Sequence, residues 1–171
     1  MLIDTPSLAS ACPQKDTPWA TYASPNDYFT ISYPRTANLI YTYDATPQLL
    51  SRLTIEFIDH FDYSRNNGIL RFGVQVSIWS NTNNLSAEDW AKTTVSPMLS
   101  KTVLKADLIY IGSQPAYRLH RTDLTTYFSD VFIAKNHLMY ELYYQDIDSN
   151  TLVPACWKSV QQAVVTSFRP R

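Results

Sequence analysis

The stretch LLSRLTIEFIDHFDYSRNNGILRFGVQVSIWS, residues 49–80, decides the fold. Over 49–63 the apolar residues Leu53, Ile55, Phe57 and Phe61 share one face, and over 69–80 Leu70, Phe72, Val74, Val76 and Ile78 alternate against polar neighbours. Successive side chains of a strand point to opposite faces, so each run is a strand with one buried face. Asn66-Asn67-Gly68 lies between them. Asn-Gly tolerates the positive backbone angles of a tight turn, so the two strands are expected to form an antiparallel hairpin that reverses there.

Working outward, residues 1–27 hold Pro6, Pro13, Pro18 and Pro25 among small and polar residues, which disfavours helix and central strand and reads as an N-terminal arm. Residues 28–171 read as one domain, and a chain of 171 residues suits one core. Further strands are expected at 28–33, 39–43, 103–111, 116–122, 124–134 and 138–145, with turns at 112–115 and 135–137. Leu85-Ser86-Ala87-Glu88-Asp89-Trp90 opens a helix, with Ser86 as its cap, and Pro97 ends or kinks it. Val153, Trp157, Val160, Val164 and Phe168 recur at helical spacing behind Pro154 and predict a C-terminal helix. The fold class is α+β, about seven antiparallel strands covered by helices.

Composition excludes several functions. A net charge of −1 offers no basic field for nucleic acid. With three glycines (Gly68, Gly73, Gly112), no glycine-rich phosphate loop can form. No apolar run reaches the roughly 20 residues of a transmembrane helix. Met1-Leu2-Ile3 meets Asp4 and Pro6 at once, so no signal peptide is readable, which fits either a cytosolic protein or one whose signal has been removed. Leu8-Ala9-Ser10-Ala11-Cys12 is similar to a lipoprotein cleavage site but lacks the apolar segment before it. Cys12 and Cys156 are placed to tie the arm to the domain. Such a bond closes a loop of about 145 residues, worth roughly 4–5 kcal/mol on the chain-entropy argument, and would indicate an oxidising compartment. Two unrelated thiols fit the same residues.

Four sets of residues suggest chemistry. Glu56, His60 and Asp62 share a strand face and make a Zn or Mn ligand set, although same-face neighbours about 7 Å apart are far for one ion and the pattern is also that of a solvated face. Asp146, Asp148 and Asn150 match the start of a calcium loop, but Thr151 and Trp157 stand where Gly and Glu are needed, and a helix-capping turn explains them. His120 and His137 are candidate bases with Asp123 or Asp130 to orient them, yet no Gly-x-Ser-x-Gly elbow exists. Among twelve tyrosines, not all of which fit inside, Tyr41, Tyr43 and Tyr144 are chosen as the lining of a groove.

The order of elements brings a resemblance. Tyr28-Phe29-Thr30-Ile31-Ser32-Tyr33-Pro34 resembles the opening strand of the Mog1/PsbP-like family, Ile111-Gly112-Ser113-Gln114-Pro115-Ala116-Tyr117-Arg118 its turn into a strand carrying Ala and Arg, and residues 160–168 its terminal helix ending in Ser-Phe. The resemblance covers 28–168. Where members commonly carry Trp after Tyr-Pro, this chain has Thr36-Ala37-Asn38, so its first loop is expected to differ. The resemblance implies an α/β/α sandwich used as a non-catalytic accessory, in photosystem assembly, in binding a small GTPase, or as an exported bacterial lipoprotein. The expectation is a monomeric, cofactor-free, non-enzymatic accessory or binding domain in the periplasm or cell envelope. It would engage a protein partner or a small apolar ligand through an aromatic-lined groove between sheet and helix. The alternative is a small hydrolase or metal-dependent enzyme built on His60 or His120.

Overall fold

The computed structural model describes residues 17–42, 48–63, 66–95, 103–123, 126–146 and 155–171, with the backbone alone at 59–63, 66–71, 94–95, 123, 126 and 155. Strands β1 (Trp19–Ala23), β2 (Phe29–Pro34), β3 (Asn38–Thr42), β4 (Leu49–Tyr63) and β5 (Asn66–Ser80) come first. Helix α1 (Ala87–Trp90) runs on as a π turn over Ala91–Val95, and β6 (Val103–Ile111), β7 (Gln114–Asp123), β8 (Thr126–Lys135) and β9 (Leu138–Gln145) follow. Helix α2 (Ala155–Ser167) and the short β10 (Arg169–Pro170) close the order.

The pairing of β4 with β5 is antiparallel, as the alternation requires. It sets Leu53 opposite Val76, Ile55 opposite Val74 and Phe57 opposite Phe72, all in the core. The expected reversal at Asn66-Asn67-Gly68 is not where the chain turns, since Tyr63 pairs with Asn66 and Phe61 with Gly68. A two-residue turn at Asn67-Gly68 would slide the strands by six positions and set buried Ile55 opposite Ser80. The apolar cross-strand pairs outweigh the local preference for turning at Asn-Gly.

Seven strands form one antiparallel sheet in the order β3-β4-β5-β9-β8-β7-β6. The meander from β6 to β9 uses tight turns. Gly112 has φ +61°, while Asn136 and His137 have φ 53° and 60°, the left-handed pair that a two-residue hairpin turn needs. A second sheet, β1-β2-β10, also antiparallel, lies apart. Its strand β1 falls within the stretch expected to be an arm. The correction is local: Pro18 and Pro25 bracket the strand, and β1 is an edge, paired by β2 alone, where nearby proline is tolerated.

One face of the large sheet is covered by α2 and the small sheet, which together bury Trp157, Val164, Val165, Phe168, Phe29 and Ile31 against it. On the other face Trp90 and Ala91 pack on Leu119, Phe132 and Met139. The described residues therefore do not form the α/β/α sandwich expected: one helix shares its layer with a sheet, and among them α1 and its π turn cover only part of the opposite face. Ser86 caps α1 as expected, accepting from the Asp89 amide at 3.0 Å and donating to Asp89 Oδ2 at 2.7 Å. No helix among the described residues is long and apolar enough to cross a membrane.

Gly73 is required by the β4–β5 contact. A Cβ there would lie 2.1 Å from the Ile55 carbonyl oxygen, and backbone cannot retreat inside a paired ladder. Gly73→Ala is expected to lower stability by on the order of 3 kcal/mol or more, seen as a lower urea midpoint with the slope unchanged.

Candidate functional site

The face of the large sheet beneath α2 is apolar over β4 and β5 but changes character toward β6. Strand alternation sets Arg118 and His120 of β7 on the same face as buried Ala116, Ser129 of β8 beside Val131, and Tyr144 of β9 beside Leu142. Register places Ser129 opposite both Tyr144 and His120, and His120 opposite Lys105 of β6. One row thus reads Tyr144, Ser129, His120, Lys105, with Arg118 and Asp107 paired in the row above. A cavity of about 270 Å³ opens there between sheet and helix, lined by Arg118, Ser129, Tyr144 and Asp146 below and Lys158 and Gln161 of α2 above.

The charges in this corner are matched. Arg118 grips Asp107 with both Nε (3.0 Å) and Nη2 (2.7 Å), and that guanidinium holds the Asp107 carboxyl below its ordinary value. His120 Nε2 lies 3.5 Å from Asp107 Oδ1 and, though this nitrogen is buried, makes no hydrogen bond among the described residues. Burial, together with the adjacent Arg118, pushes the imidazole below its ordinary value, so it is neutral at pH 7. Burial raises the Tyr144 phenol, even though its hydroxyl bonds with Ser129 and Arg118. A neutral imidazole, a neutral phenol and a paired guanidinium present hydrogen-bonding groups.

The sequence candidates are distributed unevenly. Tyr144 lines the groove. Tyr41 does not: it sits on edge strand β3, its ring 6.4 Å from that of Tyr22, and Tyr43 lies outside the described residues. Glu56 pairs between Asn38 and Gly73 and lines a second hollow of about 230 Å³ shared with Tyr144. His60 and Asp62 lie on the part of β4 that pairs with β5 alone, and their side chains are outside the described set. Among the described residues no three His, Cys, Asp or Glu side chains come together as metal ligands. Asp146 lies at the groove, whereas Asp148 and Asn150 are outside the described residues.

Asp130 does not orient His120. It projects from the opposite face, buried, where Arg121 binds it through Nε and, at 3.0 Å, through Nη2. His137 occupies the β8–β9 turn, at the other end of β8 from the pairing of Asp123 with Thr126. Asp107, which does face His120, was missed. The signal for it was present: Lys105 and Asp107 share the face of Ile109 and Ile111, as Arg118 and His120 share the face of Ala116. Cys156 is exposed in the first turn of α2 and is not a free thiol. Cys12 lies outside the described residues.

No family model matches the chain, and no curated relative matches it. Among solved structures it is similar to the solution structure of cyanobacterial PsbP (CyanoP) from Synechocystis sp. PCC 6803, with 12% identity over 91% of this chain and 94% of that one and a TM-score of 0.56. A crystal structure from Bacteroides thetaiotaomicron VPI-5482 aligns at 13% identity over 88% of this chain and 48% of that one, with a TM-score of 0.47. The fold is PsbP-like, in agreement with the resemblance read from residues 28–168.

The Asp107–Arg118 pair gives a pH signature. A carboxyl held below its ordinary value contributes stability above the unfolded value and loses it as pH falls through the folded one. Asp107→Asn is expected to cost about 1–2 kcal/mol at neutral pH. The difference from the parent protein should shrink below about pH 4, as followed by urea denaturation at stepped pH.

Proposed function

We propose that this chain is a non-enzymatic accessory domain, exported from the cytoplasm, that engages a protein partner through the groove between α2 and the β6–β9 end of the large sheet. The observation that supports it is the polar corner itself: an otherwise apolar interior face carries Arg118, Ser129 and Tyr144 lining an open cavity, with His120 opposite Ser129 in the same row. The PsbP-like fold supports the accessory role. Half the lining is polar, so the inserted segment must bring hydrogen-bonding groups as well as apolar contact. A partner side chain or loop meets that requirement better than a purely apolar small molecule.

Gln162 is exposed on α2 at the mouth of the groove, while Lys92 is exposed next to α1, on the opposite face of the sheet. A photo-crosslinking amino acid at Gln162, in the native host, is expected to capture one protein reproducibly. The same group at Lys92 should not capture it, and Tyr144→Ala should reduce capture about tenfold, corresponding to about 1.4 kcal/mol. Equal capture at both positions, or a small molecule retained in native mass spectrometry instead, would overturn the reading.

Export carries a second expectation. A bond between Cys12 and Cys156 would hold the N-terminal arm against the first turn of α2, and such bonds persist in oxidising compartments. Reduction of the purified protein should raise its intact mass by about two daltons. Cys12→Ser should remove that change and lower stability by roughly 2–5 kcal/mol.

A further inference from the structure

Strand β6 is the last strand of the large sheet, and among the described residues nothing pairs with its outer edge. It also carries the most exposed large apolar side chains of the described residues, with Leu104 58% exposed, Leu108 72% and Tyr110 73%. Open strand edges template pairing with another chain, and proteins usually blunt them with charge, proline or irregularity. This edge has one irregularity, between Val103 and Lys105, and then the run Leu104-Lys105-Ala106-Asp107-Leu108.

That run is complementary to itself. When a strand pairs antiparallel with its own copy, one residue sits on the two-fold axis and faces its equivalent, and the flanking residues exchange partners. With Asp107 on the axis two carboxylates would face each other, and with Leu108 on it Asp107 would face Ile109. With Ala106 on the axis, Lys105 faces Asp107 of the second copy and Leu104 faces Leu108, each pairing occurring twice. Within one chain Lys105 Nζ already lies 3.7 Å from Asp107 Oδ2, so the paired edges would bring four alternating charges together. A net charge of −1 puts up little general repulsion between copies.

We infer that two copies of this chain associate through β6, antiparallel about Ala106, to make one continuous sheet, in place of the monomer expected from the sequence. The axis is perpendicular to the sheet, so both α2 helices and both grooves lie on the same face, separated by the joined edges. A ladder this short covers less than the roughly 800 Å² per partner of a standard interface, so the dimer depends on concentration. The inference stands independently of what the groove binds.

Sedimentation velocity of the full chain across roughly 5 to 500 µM tests it. The expected result is a reversible shift from monomer to dimer. Lys105→Glu sets like charges against Asp107 and is expected to weaken association at least tenfold, while Lys105→Arg retains it. Lys105 is two-thirds exposed, so the fold survives either change, as circular dichroism would check. Ala106→Cys places two thiols across the axis and should give an oxidative dimer, with the parent protein as control. A monomer at the highest concentration overturns the inference, as does association indifferent to Lys105→Glu. Cross-linking by Leu108→Cys in place of Ala106→Cys would overturn the register. Strand addition by a different protein at β6, leaving the pure chain monomeric, would overturn the choice of partner.

Discussion

The arrangement depends on how α2 is pinned to the sheet. Trp157, 2% exposed, packs on the touching pair Phe57 and Phe72, with ring centroids 5.3 and 5.0 Å away. Aromatic rings at these separations combine large buried area with favourable edge and face geometry. At its other end Phe168 packs on Phe29 at 5.4 Å and Tyr140 at 5.7 Å, and the Ser32 amide donates to Ser167 Oγ at 2.8 Å. Held at both ends, the helix leaves open space between its Lys158 and Gln161 and the Arg118, Ser129 and Tyr144 side chains of the sheet. The groove is the gap that remains, and its position follows from these anchors rather than from any motif at the groove.

The same anchors fix the last residues of the chain against the first strands. Tyr140 donates its hydroxyl to the Tyr28 carbonyl at 3.0 Å and also reaches the Arg171 carbonyl at 3.4 Å. The Arg171 amide donates to Tyr28 as well, at 2.8 Å. Burial pushes this phenol up to about 12, so it remains a donor throughout the physiological range. Lys135 adds a bond to the Pro170 carbonyl at 2.8 Å. Backbone groups of a two-residue strand that would otherwise be buried without partners are satisfied by side chains of the large sheet.

Where the sequence was legible, it was because burial on one face imposes a period on composition. The bounds 49–63, 103–111 and 138–145 match observed strands, and Ser86 caps the helix that its spacing predicts. The misreadings concern features that period cannot report. Asn67-Gly68 has the local chemistry of a turn, but register across fourteen strand pairs is set by apolar contacts elsewhere. Strand β1 turns only Ala20 and Tyr22 toward the core, an apolar face too short to read as a period between Pro18 and Pro25. Of the candidate groove residues, Tyr144 lies at the cavity, on the same strand face as buried Leu142. The face that Asp107 shares with Ile109 and Ile111 is legible in its own stretch, whereas its pairing with Arg118 is a relation between strands.

The polar corner also constrains what chemistry can occur there. Burying Arg118 beside Asp107 costs desolvation that their bidentate contact only offsets, so apolar residues of similar volume would serve stability as well or better. His120 adds a further cost, since a buried ring nitrogen without a hydrogen-bond partner among the described residues forfeits its bond to water. Such costs suit a surface where an incoming group completes the missing bonds. Burial moves His120 and Tyr144 in opposite directions, the imidazole toward its neutral form and the phenol likewise. Both shifts favour uncharged groups that donate and accept hydrogen bonds.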